Sequence, residues 1–289
     1  MIQITLITDK NYFKFALTTI YSILKKTQSD IYITCIVTDV PNEEILNAEN
    51  FFRKKVKFLK FDDEVLKGVK TKNHVSRAAY IKILLPQIFP QTERIIFLDS
   101  DLLLNDDITE LWNKFDETYI LQAVWNPGYD YDNHILGLDE NDKTFNSGVM
   151  LMNLEKMREM KISEALLKFI EEKNHLTRLN DQAAFNAIFA KNWGELDLKW
   201  NVQYQFYWLK SQDLKISNTQ KREMLSNPSI LHFTSHSKPW MFRNAHPFKS
   251  DFKKNFSEVN GNLTYEDISF KSLLQRVKEF IKISWYRNK

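Results

Sequence analysis

An α/β fold with a mainly parallel sheet in its N-terminal half is predicted by three features of the sequence. Strand-like and helix-like runs alternate through the first hundred residues. One of the strands, Arg94–Leu98 (RIIFL), is apolar enough to be buried. Polar residues stand at several strand ends: Asp9 after the first, Asp99 after the fourth and His232 within the last. In sheets of this kind ligands bind beyond the carboxyl ends of the strands, so one shared site is expected there.

The elements follow from pattern. Ile2–Thr8 alternates and reads as a strand. Asn11–Thr27 carries Phe15, Ile20, Ile23 and Leu24 at helical spacing. Ile31–Thr38 is a second strand, Asn42–Phe52 a helix started after Pro41, and Val56–Phe61 a third strand. Ser76–Leu85 reads as a helix stopped by Pro86, before the strand Arg94–Leu98. Ile120–Trp125 and Val149–Leu154 are further strands, Ile162–Glu172 and Asp181–Ala190 helices, and Ile230–Phe233 a late strand. No internal repeat breaks the order. A boundary is expected near residue 250, in the polar segment His246–Asn255, giving a main domain over 1–250 and a helical tail over 251–289.

Composition excludes several classes. The 289 residues are 43% hydrophobic, enough for a sizeable core. The single cysteine, Cys35, lies in an apolar run, so it is expected to be a small buried hydrophobe; no intrachain disulfide or cysteine zinc site can form. With only six glycines there is no G-x-G-x-x-G, no G-x-x-x-x-G-K-[ST] and no G-x-S-x-G. A bound diphosphate would have to be met by a metal or by basic side chains. The formal net charge of +3 is uneven: six cationic residues stand against Glu279 alone in residues 271–289, leaving the rest mildly acidic. That is not a uniformly basic nucleic-acid-binding domain. The first residues lack a basic n-region and no run of eighteen apolar residues occurs. Neither signal peptide nor membrane span is expected, and the chain is placed in the cytoplasm.

The sharpest local feature is Asp99-Ser-Asp101, between RIIFL and Leu102-Leu103-Leu104. Residues i and i+2 of an extended or turn segment can face one side, so the two carboxylates can share a hard divalent cation such as Mn²⁺ or Mg²⁺. A capping or loop role is the competing reading. A second D-x-D, Asp130-Tyr-Asp132, reads as a solvated loop. His232 opens the segment His232-Phe-Thr-Ser-His-Ser-Lys238-Pro-Trp240, in which an imidazole would favour Mn²⁺ and a lysine could neutralise phosphate. His236 is a near neighbour that could be mistaken for it.

With these pieces in view the chain resembles the retaining family 8 glycosyltransferases, which include bacterial lipooligosaccharide galactosyl- and glucosyltransferases and the glycogenins. The matching segments run in order: Thr8-Asp9-Lys-Asn11-Tyr12; His74 with Tyr80; Ile96 through Asp101; Phe145-Asn146-Ser147-Gly148-Val149 with Asn153-Leu154; Asn180-Asp181-Gln182; and His232 through Trp240. The resemblance implies a GT-A fold, a single Rossmann-like mixed sheet flanked by helices. It implies Asp99, Asp101 and His232 as ligands of Mn²⁺, with Mg²⁺ as the alternative. It assigns Asp9 and Asn11 to the uridine and ribose, Lys238 to the donor diphosphate, Asn146, Asp181 and Gln182 to surroundings of the donor sugar, and Thr8 and Ser147 to the nucleotide-sugar site as a whole. Ser100 belongs to the nucleotide-sugar site, and His74 lies near the donor and acceptor pocket. Asp9 and Asn146 also suit turns, and Asp181 a helix N-cap. Two positions depart from the family. Lys82 stands where an arginine is common, with Arg77 a turn earlier, and lysine lacks the bidentate fork. Asn126 stands where related bacterial enzymes often have an acid.

The reaction so implied moves glucose or galactose from a UDP-sugar to a hydroxyl of a cell-surface glycan, with retention, as in lipopolysaccharide synthesis by bacteria. Asp181, with Gln182 beside it, is the carboxylate for a double displacement; attack from the leaving-group face is the alternative. A protein- or self-glycosylating transferase of the same fold, a metal-dependent nucleotidyltransferase or pyrophosphatase, and a non-catalytic glycan-binding relative are competing readings. In the tail, Phe270, Leu273, Leu274, Val277, Phe280 and Ile281 fall at helical spacing beside basic residues. Such a helix suits either an anionic membrane surface carrying a lipid-linked acceptor or docking on the main domain.

Overall fold

In the computed structural model of the chain, residues 1–68, 77–127, 132–173 and 175–287 are described. Ten strands occur among them: β1 (Ile2–Asp9), β2 (Ile31–Thr38), β3 (Val56–Lys60), β4 (Arg94–Leu98), β5 (Leu102–Leu104), β6 (Leu121–Trp125), β7 (Phe145–Asn153), β8 (Gly194–Leu196), β9 (Val202–Gln203) and β10 (Ile230–His232). Seven form a mixed sheet in the order β3-β2-β1-β4-β7-β6-β8. β1 pairs in parallel with β2 and β4, whereas β7 runs antiparallel to both β4 and β6. The parallel strands are joined by helices, as crossover connections require. β4 is central and apolar because it is covered on both faces; Ile95, Ile96, Phe97 and Leu98 are all buried.

The chain divides into two compact units. The first comprises Met1–Phe13, Ser29–Asp99 and Thr109–Asp197, and contains the seven-stranded sheet. Its core packs Ile7, Ile36, Ile81, Phe97, Met150 and Phe185 with their neighbours. The second comprises Lys14–Gln28, Ser100–Ile108 and Leu198–Lys289, and holds a three-stranded sheet in the order β5-β10-β9. Tyr204, Tyr207, Phe233, Phe252 and Ile283 fill its core. Cys35 is fully buried, as expected, and burial pushes its thiol far above the usual range.

Three local readings need correction. Arg77–Leu84 is a 3₁₀ helix, and Pro86 does not stop it but sits in the first turn of the next short helix, Leu85–Ile88. A proline there loses no hydrogen bond, because first-turn N–H groups have no partner within the helix. β7 begins at Phe145 instead of Val149, so Asn146, Ser147 and Gly148 are strand residues. His232 ends β10 of the small sheet; it is not at the edge of the main one. Leu102–Leu104 is a strand of its own, antiparallel to β10, with His232 opposite Leu102. That register brings His232 beside Asp101.

Candidate active site

β4 delivers Asp99 to its carboxyl end, and the Asp99 amide donates to the Gly148 carbonyl of β7 at 2.8 Å. Lys82 is buried behind it. Its Nζ lies 3.3 Å from Asp99 Oδ1 and 2.9 Å from Asp181 Oδ2, and 4.7 Å from the centre of the Phe97 ring. Burial alone would lower the lysine pKa, but the two carboxylates outweigh it and hold the ammonium charged well above its ordinary range. The lysine that replaces the family's common arginine is therefore a bridge between two acids.

Asp181 does not cap its helix. The helix spans Asn180–Phe189, its N-cap position is Leu179, and Asp181 lies in the first turn with its carboxylate committed to Lys82 and to the Ser147 hydroxyl, which donates at 3.2 Å. A carboxylate at this end of a helix is favoured by the helix dipole. Asn180 precedes it in the left-handed region (φ 49°), and its Oδ1 accepts from the Tyr80 hydroxyl at 3.3 Å. Asparagine tolerates this conformation better than most residues. Gln182 Oε1 accepts from Asn146 Nδ2 at 3.0 Å and from the Ser147 amide at 3.3 Å. Both are donors, so the amide orientation is fixed and Nε2 is left buried without a partner among the described residues. A buried donor of this kind is costly unless something accepts from it.

In the second unit, Asp101 is 7% exposed and receives two groups. Lys238 Nζ lies 2.5 Å from Oδ2, and His232 Nε2 3.3 Å from Oδ1. Burial would raise the carboxyl pKa, but Lys238 and then His232 pull it well below the usual range. The lysine also donates to the Phe233 carbonyl at 2.7 Å. His232 Nδ1 lies 2.9 Å from Asn201 Oδ1, and Asn201 is fully buried. An amide oxygen only accepts, so with this orientation of Asn201 the proton is on Nδ1. The Nε2 lone pair then faces a carboxylate oxygen, an arrangement that suits a cation between them. Asp99, Asp101 and His232 each offer a ligand atom, and these lie within 4.8 Å of one another. Two hard oxygens and one imidazole suit Mn²⁺ or Mg²⁺. The donor set therefore fits a divalent ion. Asn201, which no sequence motif marks, stands behind the imidazole and orients its ring.

The remaining expected positions are distributed as follows. Asp9 Oδ1 accepts from the amides of Asn11 and Tyr12 at 2.9 and 3.0 Å, a turn that leaves the Asn11 side chain exposed. Thr8 is buried and its hydroxyl donates to the Asp9 carbonyl. The Ser100 carbonyl accepts from the Thr19 hydroxyl at 3.0 Å. Asn126 is 2% exposed, with its amide on the Thr144 carbonyl at 2.8 Å. His74 lies outside the described residues, as does Asp130 of the second D-x-D; Asp132 is not solvated as expected but buried, its carboxylate accepting from the Arg178 amide at 2.7 Å.

The sequence model of glycosyl transferase family 8 matches residues 3–243. General stress protein A of Bacillus subtilis (strain 168) is 31% identical over 202 residues, 68% of this chain and 71% of that protein. Glycosyltransferase GlyF of Streptococcus pneumoniae serotype 4 (strain ATCC BAA-334 / TIGR4) is 28% identical over 250 residues; the match covers 82% of this chain but 57% of GlyF. For glycosyltransferase GlyD of the same organism the covered share falls to 29%, so the chain spans only part of these longer relatives. The crystal structure of the galactosyltransferase LgtC, in complex with donor and acceptor sugar analogues, superposes with a TM-score of 0.79. It covers 95% of this chain and all of LgtC at 17% identity, which shows the shared GT-A fold. On the family match over residues 3–243, this chain belongs to glycosyl transferase family 8 and is a glycosyltransferase.

Proposed function

We propose that the chain is a retaining, Mn²⁺-dependent hexosyltransferase that moves glucose or galactose from a UDP-sugar to a hydroxyl of a cell-surface glycan. The observation that carries this reading is the gathering of Asp99, Asp101 and His232. They would hold the cation, Mn²⁺ or its alternative Mg²⁺, which when bound neutralises charge on the departing nucleoside diphosphate. Lys238 would be the chain's own cation for that diphosphate, its ammonium held beside the ligand group by Asp101 and the Phe233 carbonyl. Thr8, Asp9, Asn11 and Ser100 belong to the nucleoside end. Asn126, Asn146, Ser147 and Gln182 belong to the sugar end, where the buried Gln182 Nε2 can donate to a sugar oxygen. Asp181 stands nearby as the carboxylate that a retaining reaction can use.

A screen of UDP-sugars for Mn²⁺-dependent hydrolysis tests the proposal. UDP release is expected with UDP-glucose or UDP-galactose and is lost on chelation; no release from any UDP-sugar overturns it. Asn201→Leu, which removes the acceptor that sets the His232 tautomer, should raise the half-saturating Mn²⁺ concentration about 10- to 100-fold. An unchanged metal titration would dissociate Asn201 from the metal site.

We also propose peripheral contact with the inner face of an anionic membrane, which would bring a lipid-linked acceptor to the enzyme. No helix among the described residues is long and apolar enough to cross a membrane. The C-terminal helix Phe270–Arg287 supports a surface role: Phe270, Leu273, Leu274, Val277, Phe280, Ile281 and Trp285 are all exposed. Replacing Phe280, Ile281 and Trp285 together by serine should release the protein from vesicles containing anionic lipid while leaving UDP-sugar hydrolysis in solution intact. Equal vesicle binding by the two proteins would refute membrane docking through this face.

A further inference from the structure

The turn that carries Lys238 is held partly from within: the Ser237 amide donates to Ser235 Oγ at 3.2 Å and the Met241 amide to the Lys238 carbonyl at 2.9 Å. Ser235 within it has φ 85°, a strained conformation for a residue with a side chain. Two side chains from outside the turn, Asn244 and Glu279, also attach to Ser237. Asn244 Nδ2 donates to the Ser237 carbonyl at 2.6 Å, closing the loop on itself. The other attachment comes from far along the sequence. Glu279 Oε2, in the C-terminal helix, accepts from the Ser237 hydroxyl at 3.1 Å, the Tyr204 hydroxyl at 2.8 Å and the Ala245 amide at 3.2 Å. Gln275 Nε2 lies 3.4 Å from Oε1. Burial and the Glu279 charge together push the Tyr204 phenol far above its usual range, so it remains a donor. Glu279 is also the single acid among the cationic residues of 271–289. A solvated basic helix has no need of it there.

We propose that Glu279 is a positioning residue for donor binding: it pins the Ser237–Lys238 turn and so holds the Lys238 ammonium where the diphosphate is met. The inference rests on the reading of Lys238 as the diphosphate contact. Glu279 is the common acceptor for three donors drawn from the Gln203–Tyr207 segment, the Lys238 turn and the segment before His246. Without it all three must find other acceptors, and the lysine, whose Nζ is anchored at Asp101 and the Phe233 carbonyl, loses the register of its backbone. The C-terminal helix thereby contributes to the donor site without touching substrate.

The test uses the full chain and four variants, Glu279→Ala, Glu279→Gln, Lys238→Met and the double Glu279→Ala/Lys238→Met, with Lys278→Ala as a control on the exposed side of the same helix. Mn²⁺-dependent UDP-sugar hydrolysis gives kcat and KM separately, and thermal melting reports folding. Lys238→Met should raise the donor KM. Glu279→Ala should raise it about tenfold with kcat within about threefold, the loss expected for one or two net hydrogen bonds. Glu279→Gln, which keeps an acceptor oxygen, should restore part of the loss, and Lys278→Ala should match wild type. The double variant should be no worse than Lys238→Met alone, because Glu279 acts through that lysine. A donor KM unmoved by Lys238→Met refutes the diphosphate reading, and this inference with it. If Lys238→Met raises KM but Glu279→Ala and Glu279→Gln do not, or if the two effects multiply in the double variant, Glu279 is structural only. Should Glu279→Ala not fold, Glu279→Gln alone decides, since a purely structural role would lower its melting temperature and leave KM at the wild-type value.

Discussion

Asp101→Asn should reduce sugar transfer by roughly 10³-fold at saturating Mn²⁺, the largest kinetic loss expected from a single substitution in this chain. A bound cation contributes several kcal/mol of charge stabilisation in the transition state, and about 4 kcal/mol corresponds to that factor. Asparagine preserves shape but offers one neutral oxygen where the carboxylate offers two charged ones. The change also disturbs the apo protein, because Lys238 and His232 both lean on this carboxylate. Removing one partner of a buried pair leaves the other uncompensated and costs about 3 kcal/mol or more. Lys238 is spared part of that cost by the Phe233 carbonyl at 2.7 Å. Because the Asp101 pKa is lowered on folding, its contribution to stability is present above the ordinary carboxylate pKa and lost as pH falls below it. The variant should therefore melt earlier than wild type near pH 7, and the difference should shrink as pH falls below about 4. UDP release measured on protein shown to be folded separates the two effects. Transfer within threefold of wild type would remove Asp101 from the metal site.

The amino-acid pattern discloses those parts of the site that local rules control. RIIFL reads as a buried strand, and acids following it are costly to bury unless compensated, which draws attention to Asp99 and Asp101 even though a loop role competes. His232 is marked as a residue but not by its route. Leu102–Leu104 looks like any apolar run, and its antiparallel pairing with Ile230–His232 is a long-range event that no period encodes. Asn201 has no local signal at all: it sits in a 3₁₀ turn, Leu198–Asn201, and matters only because His232 Nδ1 arrives 2.9 Å away. Lys82 is legible as a departure from the family's arginine, but its burial between Asp99 and Asp181 depends on Asp181 arriving from a helix almost a hundred residues later. The tail divides the same way. Helical spacing identifies its apolar stripe, yet spacing cannot tell which face turns inward, and it is Ser272 and Ile283 that are buried while the stripe is exposed. The lone acid Glu279 in a basic run is the available clue that this helix is held by a specific contact.

Asp181→Asn is the substitution that best separates chemistry from architecture. It should lower kcat by about 10²- to 10³-fold while leaving the donor KM within about threefold, as expected for a group whose charge acts only in the transition state. Folding should survive. Lys82 keeps Asp99 as a counter-ion at 3.3 Å, and the oxygen of the introduced amide can still accept from the Ser147 hydroxyl and the lysine. The converse change, Lys82→Met, leaves Asp99 and Asp181 facing each other without a cation, so it should cost more stability than Asp181→Asn. That asymmetry makes Asp181→Asn the cleaner probe. If Asp181 attacks the anomeric carbon, its loss removes a covalent step and turnover falls to the bottom of the range. If it only stabilises an oxocarbenium-like transition state during same-face attack, the fall is smaller, because Lys82 and the bound diphosphate still shape the field. Steady-state UDP release with UDP-galactose or UDP-glucose, read as kcat and KM separately, measures the loss, and a kcat near wild type would exclude Asp181 from either role. Product configuration from the residual activity then bears on the mechanism: retention must persist for same-face attack, whereas a double displacement deprived of its nucleophile can deliver retention only if another carboxylate replaces it.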